Sequence, residues 1–311
     1  MADDRFEQIL ARGLPLILDG GLATELESRG FKLDSVLWSA ELLLNNEQAI
    51  IDVHRAYLEA GAGCIISASY QATQAGFIAL GATANDARQL IVRSVELAMM
   101  ARDEFLREHS GVEIAPLVAA SIGPYGASLA DGSEYTGDYA IDAAGLAEFH
   151  RQRLAWLDAS GADVLACETI PSLLEARVLS QLLEDVTTPA WVSFSCKDEK
   201  HCSDGTPIAE CAALFSHHPR VLAVGVNCTS PQYIDALILE IKAAVPRLAL
   251  VVYPNSGERY DAGSNSWQGT TSPIDCAAAA LGWRNSGAGI IGGCCRMGPE
   301  HIREMVSVLA R

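Results

Sequence analysis

The chain has no apolar run that approaches the roughly 18–20 uncharged residues needed to cross a lipid bilayer. Its first ten residues, MADDRFEQIL, carry acidic side chains where a signal peptide carries basic ones, and no apolar segment follows them. These two absences predict that the protein is not associated with a membrane, and we expect it to be cytoplasmic.

Basic residues are also scarce: Lys and Arg total 22 against 39 Asp and Glu, which gives a formal charge of −17 at pH 7. Such a chain repels the phosphate backbone of nucleic acids, so we expect no nucleic-acid partner. An acidic surface tolerates a cationic small substrate, although net charge alone identifies none.

The sequence does not favour a disulfide framework, because its nine cysteines are an odd number and the predicted compartment is reducing. Cys64, Cys167 and Cys211 lie in apolar or alanine-rich surroundings, where a thiol packs as a small apolar side chain. We therefore predict that these three residues belong to the core.

No low-complexity linker divides the chain, and half of its residues are apolar, which is enough for a sizeable core. Eight short apolar runs alternate with stretches of helical character. Each run is apolar on both faces, as is typical of a buried parallel strand. The runs cover residues 14–21, 64–70, 115–123, 163–171, 189–196, 221–228, 248–254 and 288–295.

Strand and helix alternate throughout the chain, which predicts a parallel sheet. Eight such units in 311 residues fit an α/β fold, a closed (β/α)8 TIM-type barrel that occupies residues 1–311 as a single domain. The alternative is an open, doubly wound sheet, and the absence of G-x-G-x-x-G after the first run argues against it.

Apolar residues recur at helical spacing in three of the intervening stretches. The positions are Ile50, Val53 and Tyr57 in the first, Leu174, Val178 and Leu182 in the second, and Ile234, Leu237, Ile238 and Ile241 in the third. Gly61 offers a stop for the first helix. Ser230 and Pro231 offer a cap and a first position for the third.

In a barrel of this type the catalytic residues lie at the carboxyl ends of the strands. The chemically informative residues are those that close the runs: Asp19, Gly20 and Gly21 in the first, Glu168 and Thr169 in the fourth, Asn227 and Cys228 in the sixth, Tyr253, Pro254 and Asn255 in the seventh, and Cys294 and Cys295 in the eighth. Because alternate strands point into the same layer of a barrel, we predict that Cys228 faces the cysteine pair across the barrel mouth. The polar segments 127–139 and 261–273 also follow strand ends and are predicted to be active-site loops.

Three thiols that converge in a reducing compartment suggest a soft metal ion. Zinc takes three protein ligands in a catalytic site and leaves a fourth position open. Core packing and a vicinal disulfide are the alternatives for the adjacent cysteines. Two rival functions also stay open: a barrel enzyme with a cysteine nucleophile, and a non-catalytic zinc protein whose fourth ligand would be Cys196.

Eight short motifs together resemble those of the homocysteine S-methyltransferases, which are zinc-dependent (β/α)8 barrels. The motifs are ILDGGLATEL, SASYQAT, SIGPYG, CETIP, SFSC, GVNC, YPNSGE and GGCC, and they follow one another in the family's order over almost the whole chain. The chain is most similar to the stand-alone branch that uses S-methylmethionine. It lacks the folate and cobalamin modules of the large methionine synthase and the C-terminal extension of the betaine-dependent enzymes.

The resemblance implies that Cys228, Cys294 and Cys295 bind Zn2+, with no further catalytic residue beyond the metal site. It also implies a reaction between two small molecules. A methyl group passes from a sulfonium donor, S-methylmethionine first and S-adenosylmethionine second, to the thiol of L-homocysteine, which gives methionine.

The resemblance further implies that Asp19, Gly20 and Glu168 hold the amino-acid end of homocysteine. Elementary chemistry agrees, because an ammonium group needs carboxylates and a carboxylate needs the backbone donors that a glycine-rich turn presents. The alternatives are that Asp19 caps the following helix and that Glu168 belongs to a buried ion pair. Trp38, Tyr70 and Tyr125 are candidates to flank a cation, with ordinary packing as the alternative.

Met297 departs from the pattern that the resemblance implies, since the family usually has a threonine soon after the cysteine pair. A methionine cannot donate a hydrogen bond to this loop, so one hypothesis is that the loop and its metal are held more loosely than in relatives. The alternative is that the site accepts a larger apolar side chain. In either case we expect the last helix to begin near Pro299, with Gly298 as its cap.

Overall fold

A computed structural model of the chain describes residues 2–33, 37–257, 259–261, 266–268 and 272–310. It contains ten strands, numbered in chain order. They are β1 (Leu16–Ile17), β2 (Cys64–Ile66), β3 (Leu117–Ile122), β4 (Val164–Ile170), β5 (Ala190–Phe194), β6 (Val221–Asn227), β7 (Ala249–Tyr253), β8 (Arg259–Asp261), β9 (Ser266–Gln268) and β10 (Ile290–Ile291).

Eight of these strands form one parallel sheet in the order β1-β10-β7-β6-β5-β4-β3-β2. The two ends of the sheet meet, because Leu18 bridges to Cys64 in parallel and the Asp19 amide donates to the Cys64 carbonyl over 3.0 Å. Each of the eight predicted runs contains one of these strands. The predicted (β/α)8 barrel is therefore confirmed, and the open sheet is excluded.

Two strands stand outside the barrel: β8 and β9 form an antiparallel hairpin after β7. The predicted loop 261–273 falls on this hairpin and otherwise lies mostly outside the described residues. The other predicted loop, 127–139, includes a turn of 3-10 helix at Ser133–Tyr135.

Thirteen α-helices occur in the described ranges. They are α1 (Ala2–Ala11), α2 (Leu22–Ser28), α3 (Leu42–Asn45), α4 (Glu47–Glu59), α5 (Gln74–Ala79), α6 (Ala84–Glu108), α7 (Tyr125–Leu129), α8 (Ala143–Asp158), α9 (Leu173–Leu182), α10 (Ile208–Ala213), α11 (Ile234–Ala244), α12 (Pro273–Ser286) and α13 (Pro299–Leu309). Among these helices, none combines the length and the apolar character that a bilayer span requires.

The three helices predicted from apolar spacing are present, with two corrections. Helix α4 ends at Glu59, and Gly61 follows with a φ of +99°, as expected for a glycine stop. In α9 the Leu174 side chain points outward and is 44% exposed, so it is not part of the buried stripe. Ser230 makes no side-chain cap, because the first turn, Pro231–Tyr233, is a 3-10 helix and α11 begins only at Ile234.

The core has an outer layer between strands and helices and an inner layer inside the barrel. The N-terminal helix α1 closes the amino end of the barrel: its Phe6 is fully buried in one cluster with Leu16, Leu117 and Val164, which open β1, β3 and β4. The predicted core cysteines, Cys64, Cys167 and Cys211, are also fully buried. The amino end of the barrel is thus filled, and any site must form at the carboxyl end.

A charged cluster at the amino end provides a test of stability separate from function. Asp163 accepts hydrogen bonds from Arg5 over 2.7 Å, from Arg102 over 3.1 Å and from the Val118 amide over 2.9 Å. We expect Asp163→Ala to lower the free energy of unfolding by about 1.5–3 kcal/mol, because charge-assisted bonds are lost. Turnover should not change while the protein is folded, since residues at this face of a barrel serve stability.

Asp103 supplies the matched control, because it pairs with Arg102 over 3.2 Å but its side chain is 62% exposed. Denaturant titration of Asp103→Ala should give a loss below about 1 kcal/mol. Equal losses in the two variants would contradict the structural role of Asp163.

Candidate active site

A cavity of about 750 Å³ opens at the carboxyl end of the barrel. Its walls include Gly20 after β1, Glu168 in β4, Cys228 after β6, and Cys294 and Cys295 after β10. Five of the six predicted site residues therefore line one cavity. The sixth, Asp19, is buried beside it.

The three predicted metal ligands meet at this cavity. All of their sulfur atoms lie within 4.8 Å of one another, and 3.9 Å separates the Sγ atoms of Cys228 and Cys295. The Sγ atoms of Cys228 and Cys294 are in direct contact. The strand-parity argument is thus correct about which thiols converge.

The donor set of three cysteine sulfurs fits a soft metal ion. A tetrahedral zinc site with Zn–S bonds of about 2.3 Å separates its sulfurs by roughly 3.8 Å, close to the spacing of Cys228 and Cys295. Burial raises the pKa of the Cys295 thiol to about 11, so a thiolate at this position requires a cation beside it. Among the described residues no fourth Cys, His, Asp or Glu joins the group, and Cys196 is not part of it.

The turn that carries Asp19 and Gly20 is fixed by the loop after β10. A Cβ on Gly20 would collide with the Met297 carbonyl, and the Gly21 amide donates to that carbonyl over 2.9 Å. Asp19 accepts from the Ile66 amide over 2.8 Å through Oδ2, while Oδ1 is buried with no partner in the described ranges. Burial raises the pKa of Asp19 well above its usual range.

The alternative role of Asp19 as a helix cap is excluded. Helix α2 has Gly21 as its N-cap, and no side chain bonds to its first turn. A buried carboxylate oxygen without a donor is expected to receive one from a ligand.

Glu168 lies in β4, where its Oε1 accepts a hydrogen bond from Ser121. Burial raises the pKa of Glu168 to about 7. Within the described part of the chain it forms no ion pair, so the ion-pair alternative is not supported. Its charge, when present, is available to a cationic ligand.

Polar residues at these strand ends, which the sequence placed there, form a hydrogen-bond network that the sequence did not predict. Asn227 donates to Thr169 Oγ1 over 2.7 Å and accepts from the Thr169 amide over 2.7 Å. Ser193 bonds both to Asn227 and to the hydroxyl of Tyr253. The signal that could have indicated this network was a polar residue facing into an otherwise apolar barrel. The network holds β4, β5, β6 and β7 in register directly below the thiols.

Backbone strain is concentrated at the cavity. Five non-glycine residues in the described ranges have positive φ, and Trp38, Ala130, Thr169 and Cys228 among them line the cavity. The fifth, Arg296, follows Cys295. Such conformations cost free energy and cluster at functional sites, where packing imposes them.

The aromatic candidates divide into two groups. Trp38 and Tyr70 line the cavity, together with Tyr135, which sequence reasoning missed. Tyr125 packs edge-on against Tyr139 with 5.3 Å between ring centroids, so for this residue ordinary packing is the correct alternative. No Lys, Arg or His occurs among the described residues that line the cavity. The cavity is therefore acidic and aromatic, which favours a cationic ligand.

Met297 occupies a closed space below the cysteine loop. Its side chain is fully buried beside Gly293, and its carbonyl accepts from Gly21 and, over 3.1 Å, from the Tyr57 hydroxyl. The structure supports the alternative that this site accepts a larger apolar side chain, and it does not support a loosely held loop. As expected, α13 begins at Pro299 with Gly298 as its cap.

We accordingly expect Met297→Thr to destabilise the protein. The shorter side chain leaves a cavity and buries a hydroxyl, which together cost about 2–4 kcal/mol. Thermal melting and denaturant titration measure this change, and Met100→Thr on the exposed side of α6 is the control. A higher melting temperature for Met297→Thr would instead restore the loose-loop hypothesis.

Fold and site define the class of this protein: a (β/α)8-barrel enzyme with a three-thiol centre at the mouth of an acidic cavity. A family model for homocysteine S-methyltransferase matches residues 16–309. Homocysteine S-methyltransferase YbgG of Bacillus subtilis is 50% identical over 295 residues, covering 94% of this chain and 93% of that protein. The chain belongs to the homocysteine S-methyltransferase family, and it is an enzyme of methyl transfer to homocysteine.

Solved structures of homocysteine methyltransferase MmuM from Escherichia coli are similar over almost the whole fold. The metallated form superposes with a TM-score of 0.87 at 41% identity and covers 97% of this chain and 99% of that one. The oxidized form superposes with a TM-score of 0.85 at 42% identity, covering 94% and 95%.

Proposed function

We propose that the protein transfers a methyl group from a sulfonium donor, S-methylmethionine first and S-adenosylmethionine second, to the thiol of L-homocysteine, giving methionine. One observation carries this proposal: in the described part of the chain, three cysteine side chains without a fourth protein ligand face a cavity lined by carboxylates, aromatic rings and no cationic side chain. The proposal retains the sequence-based expectations that residues 1–311 act as one domain and that the protein is cytoplasmic.

Cys228, Cys294 and Cys295 would hold the metal, which we propose to be zinc. When bound, zinc lowers the pKa of a coordinating thiol from about 8.5, so that homocysteine is present as the nucleophilic thiolate. Support for a metal comes from the metallated form of the similar E. coli enzyme. Support for a catalytic rather than a structural site comes from the missing fourth ligand within the described ranges.

Asp19 and Glu168 would bind the homocysteine ammonium group, and the backbone at Gly20 would meet its carboxylate. Asp19 Oδ1 has no donor in the described structure, and Glu168 has no cationic partner there. These two acceptors fix the amino-acid end of the substrate and leave its thiol pointing at the cysteines. Their contribution is therefore orientation.

The chemical step needs no general acid. A sulfur lone pair of homocysteine forms the new S–CH3 bond, and the electrons of the breaking C–S bond return to the donor sulfur. The donor then leaves as a neutral thioether. What the protein must do is hold two sulfurs in line about one methyl group and exclude water.

Donor preference tests this proposal. We expect S-methylmethionine to give the highest kcat/KM, S-adenosylmethionine less, and betaine poor turnover, because the tertiary amine that betaine releases is a poorer leaving group than a thioether. The purified, reduced protein should carry about one zinc per chain. Comparable turnover with betaine or methyl-folate would refute the donor assignment. Inactivation by alkylation without any effect of chelators would favour the cysteine-nucleophile alternative.

A further inference from the structure

Glu134 is a third carboxylate at the cavity, and the proposed reaction has so far given it no role. It lies in the 3-10 turn Ser133–Tyr135 and lines the cavity. Its Oε2 atom is buried and has no hydrogen-bond partner among the described residues. No ion pair to Glu134 occurs there either. A ligand can supply the hydrogen-bond donor that this buried carboxylate oxygen lacks.

The backbone of Glu134 is held firmly, so its side chain is presented from a fixed base. Its carbonyl accepts from Ser195 Oγ over 3.1 Å, and the Gly137 amide donates to Ser133 over 2.8 Å. A Cβ on Gly126 would lie 2.5 Å from the Glu134 amide nitrogen, which shows how closely α7 packs on this turn. The position of the carboxylate is therefore built into the fold.

The surroundings of Glu134 suit a cation other than homocysteine. Trp38, Tyr70 and Tyr135 line the same cavity, and aromatic faces attract cations. The single ammonium of homocysteine is already matched by Asp19 and Glu168 at the strand ends. A second amino-acid substrate brings a second ammonium, and Glu134 is the remaining carboxylate among the described residues that line the cavity.

We propose that Glu134 binds the α-ammonium group of the methyl donor and thereby selects amino-acid sulfonium ions over sulfonium ions without an amino group. This inference rests on the proposed function, since it takes the donor to be a sulfonium. The aromatic side chains would face the sulfonium charge, which every such donor has. Glu134 would face the one group that distinguishes S-methylmethionine from simpler sulfonium ions.

Two sulfonium donors, one with the ammonium-bearing α-carbon and one without it, provide the test. S-methylmethionine and dimethylsulfoniopropionate both carry a dimethylsulfonium and a carboxylate, but only the first has an ammonium group. Each is measured with wild type and with Glu134→Gln, as a methyl donor and as a competitive inhibitor. We expect Glu134→Gln to lower kcat/KM for S-methylmethionine by about tenfold to thirtyfold. Values for dimethylsulfoniopropionate should change by less than about twofold, and the KM for homocysteine should not change.

Asp138→Asn is the matched control, because Asp138 is an exposed carboxylate four residues further along the same segment. An equal loss with both donors, no loss with S-methylmethionine, or a raised KM for homocysteine would each overturn the assignment of Glu134. Failure of the wild-type enzyme to use any sulfonium would overturn the proposed function and this inference together. If the wild type uses a sulfonium donor but Glu134→Gln affects S-methylmethionine and dimethylsulfoniopropionate equally, only the inference about Glu134 is overturned.

Discussion

Replacing Cys294 with serine is expected to remove the bound metal and to lower turnover by at least about a thousandfold. A metal ion that activates a nucleophile supplies several kcal/mol of transition-state stabilisation, and roughly 4 kcal/mol corresponds to this factor. The fold should survive, because a barrel with so large a core does not depend on one ion. Cys228→Ser and Cys295→Ser should behave in the same way.

The control is Cys276→Ser, a buried cysteine in α12 that does not line the cavity. Wild type and all variants are kept reduced throughout. Metal content, circular dichroism and initial rates are then measured on the same samples. Full activity in a metal-free preparation would end the metal hypothesis.

The barrel was predictable because its strands are apolar on both faces. Such runs, separated by amphipathic helices, leave few alternatives to a parallel sheet. The number of strands and the length of the chain then favour a sheet that closes into a barrel. Finer features were not predictable. Leu174 is exposed and Ser230 does not cap α11, because contacts with the rest of the barrel decide helix rotation and the choice between 3-10 and α geometry.

The candidate site was partly predictable for the same reason. Residues that end apolar strands must meet at one face of a barrel, so Glu168, Cys228 and Cys294 could be grouped before any coordinates were known. Glu134 and Tyr135 could not, since they lie in a polar segment whose path depends on distant contacts such as that of Ser195 with the Glu134 carbonyl.

Met297 shows how a local rule can mislead. The loose-loop hypothesis for this residue considered only which hydrogen bonds its side chain can make. Its backbone carbonyl makes the important ones, to Gly21 and Tyr57, and its side chain fills the space beside Gly293. Burial of this kind depends on the tertiary structure and cannot be read from neighbouring residues.

Replacing Glu168 with glutamine is expected to weaken homocysteine binding by roughly a hundredfold or more, with the metal retained. Removing one partner of a buried, hydrogen-bonded charge pair costs about 2–5 kcal/mol, because the other charge is left unpaired. Glu148→Gln, an exposed carboxylate of α8, is the control. An unchanged KM for homocysteine would assign Glu168 to structure alone.

The pKa of Glu168 gives this prediction a pH dependence. Burial raises that pKa to about 7, so the carboxyl is largely protonated below this pH and must ionise to pair with an ammonium group. Methionine, the product, has the same amino-acid end as homocysteine and no thiol to titrate. Its affinity, measured by calorimetry, should increase from about pH 6 to pH 8 in the wild type, and the part of this increase that comes from Glu168 should be lost in Glu168→Gln.

The stability of the ligand-free protein should change in the opposite direction. The pKa of Glu168 is higher in the folded protein than its value of 4.5 in the unfolded chain. At a pH between these two values, Glu168 is therefore ionised in the unfolded chain and still protonated in the folded protein. The contribution of Glu168 to the free energy of unfolding therefore falls as the pH rises from its unfolded-state pKa to its folded-state pKa. Glu168→Gln removes this contribution, and denaturant titration across this pH range can detect its loss. A binding gain and a stability loss that both disappear in one variant would identify Glu168 as the buried carboxylate that a substrate ammonium neutralises.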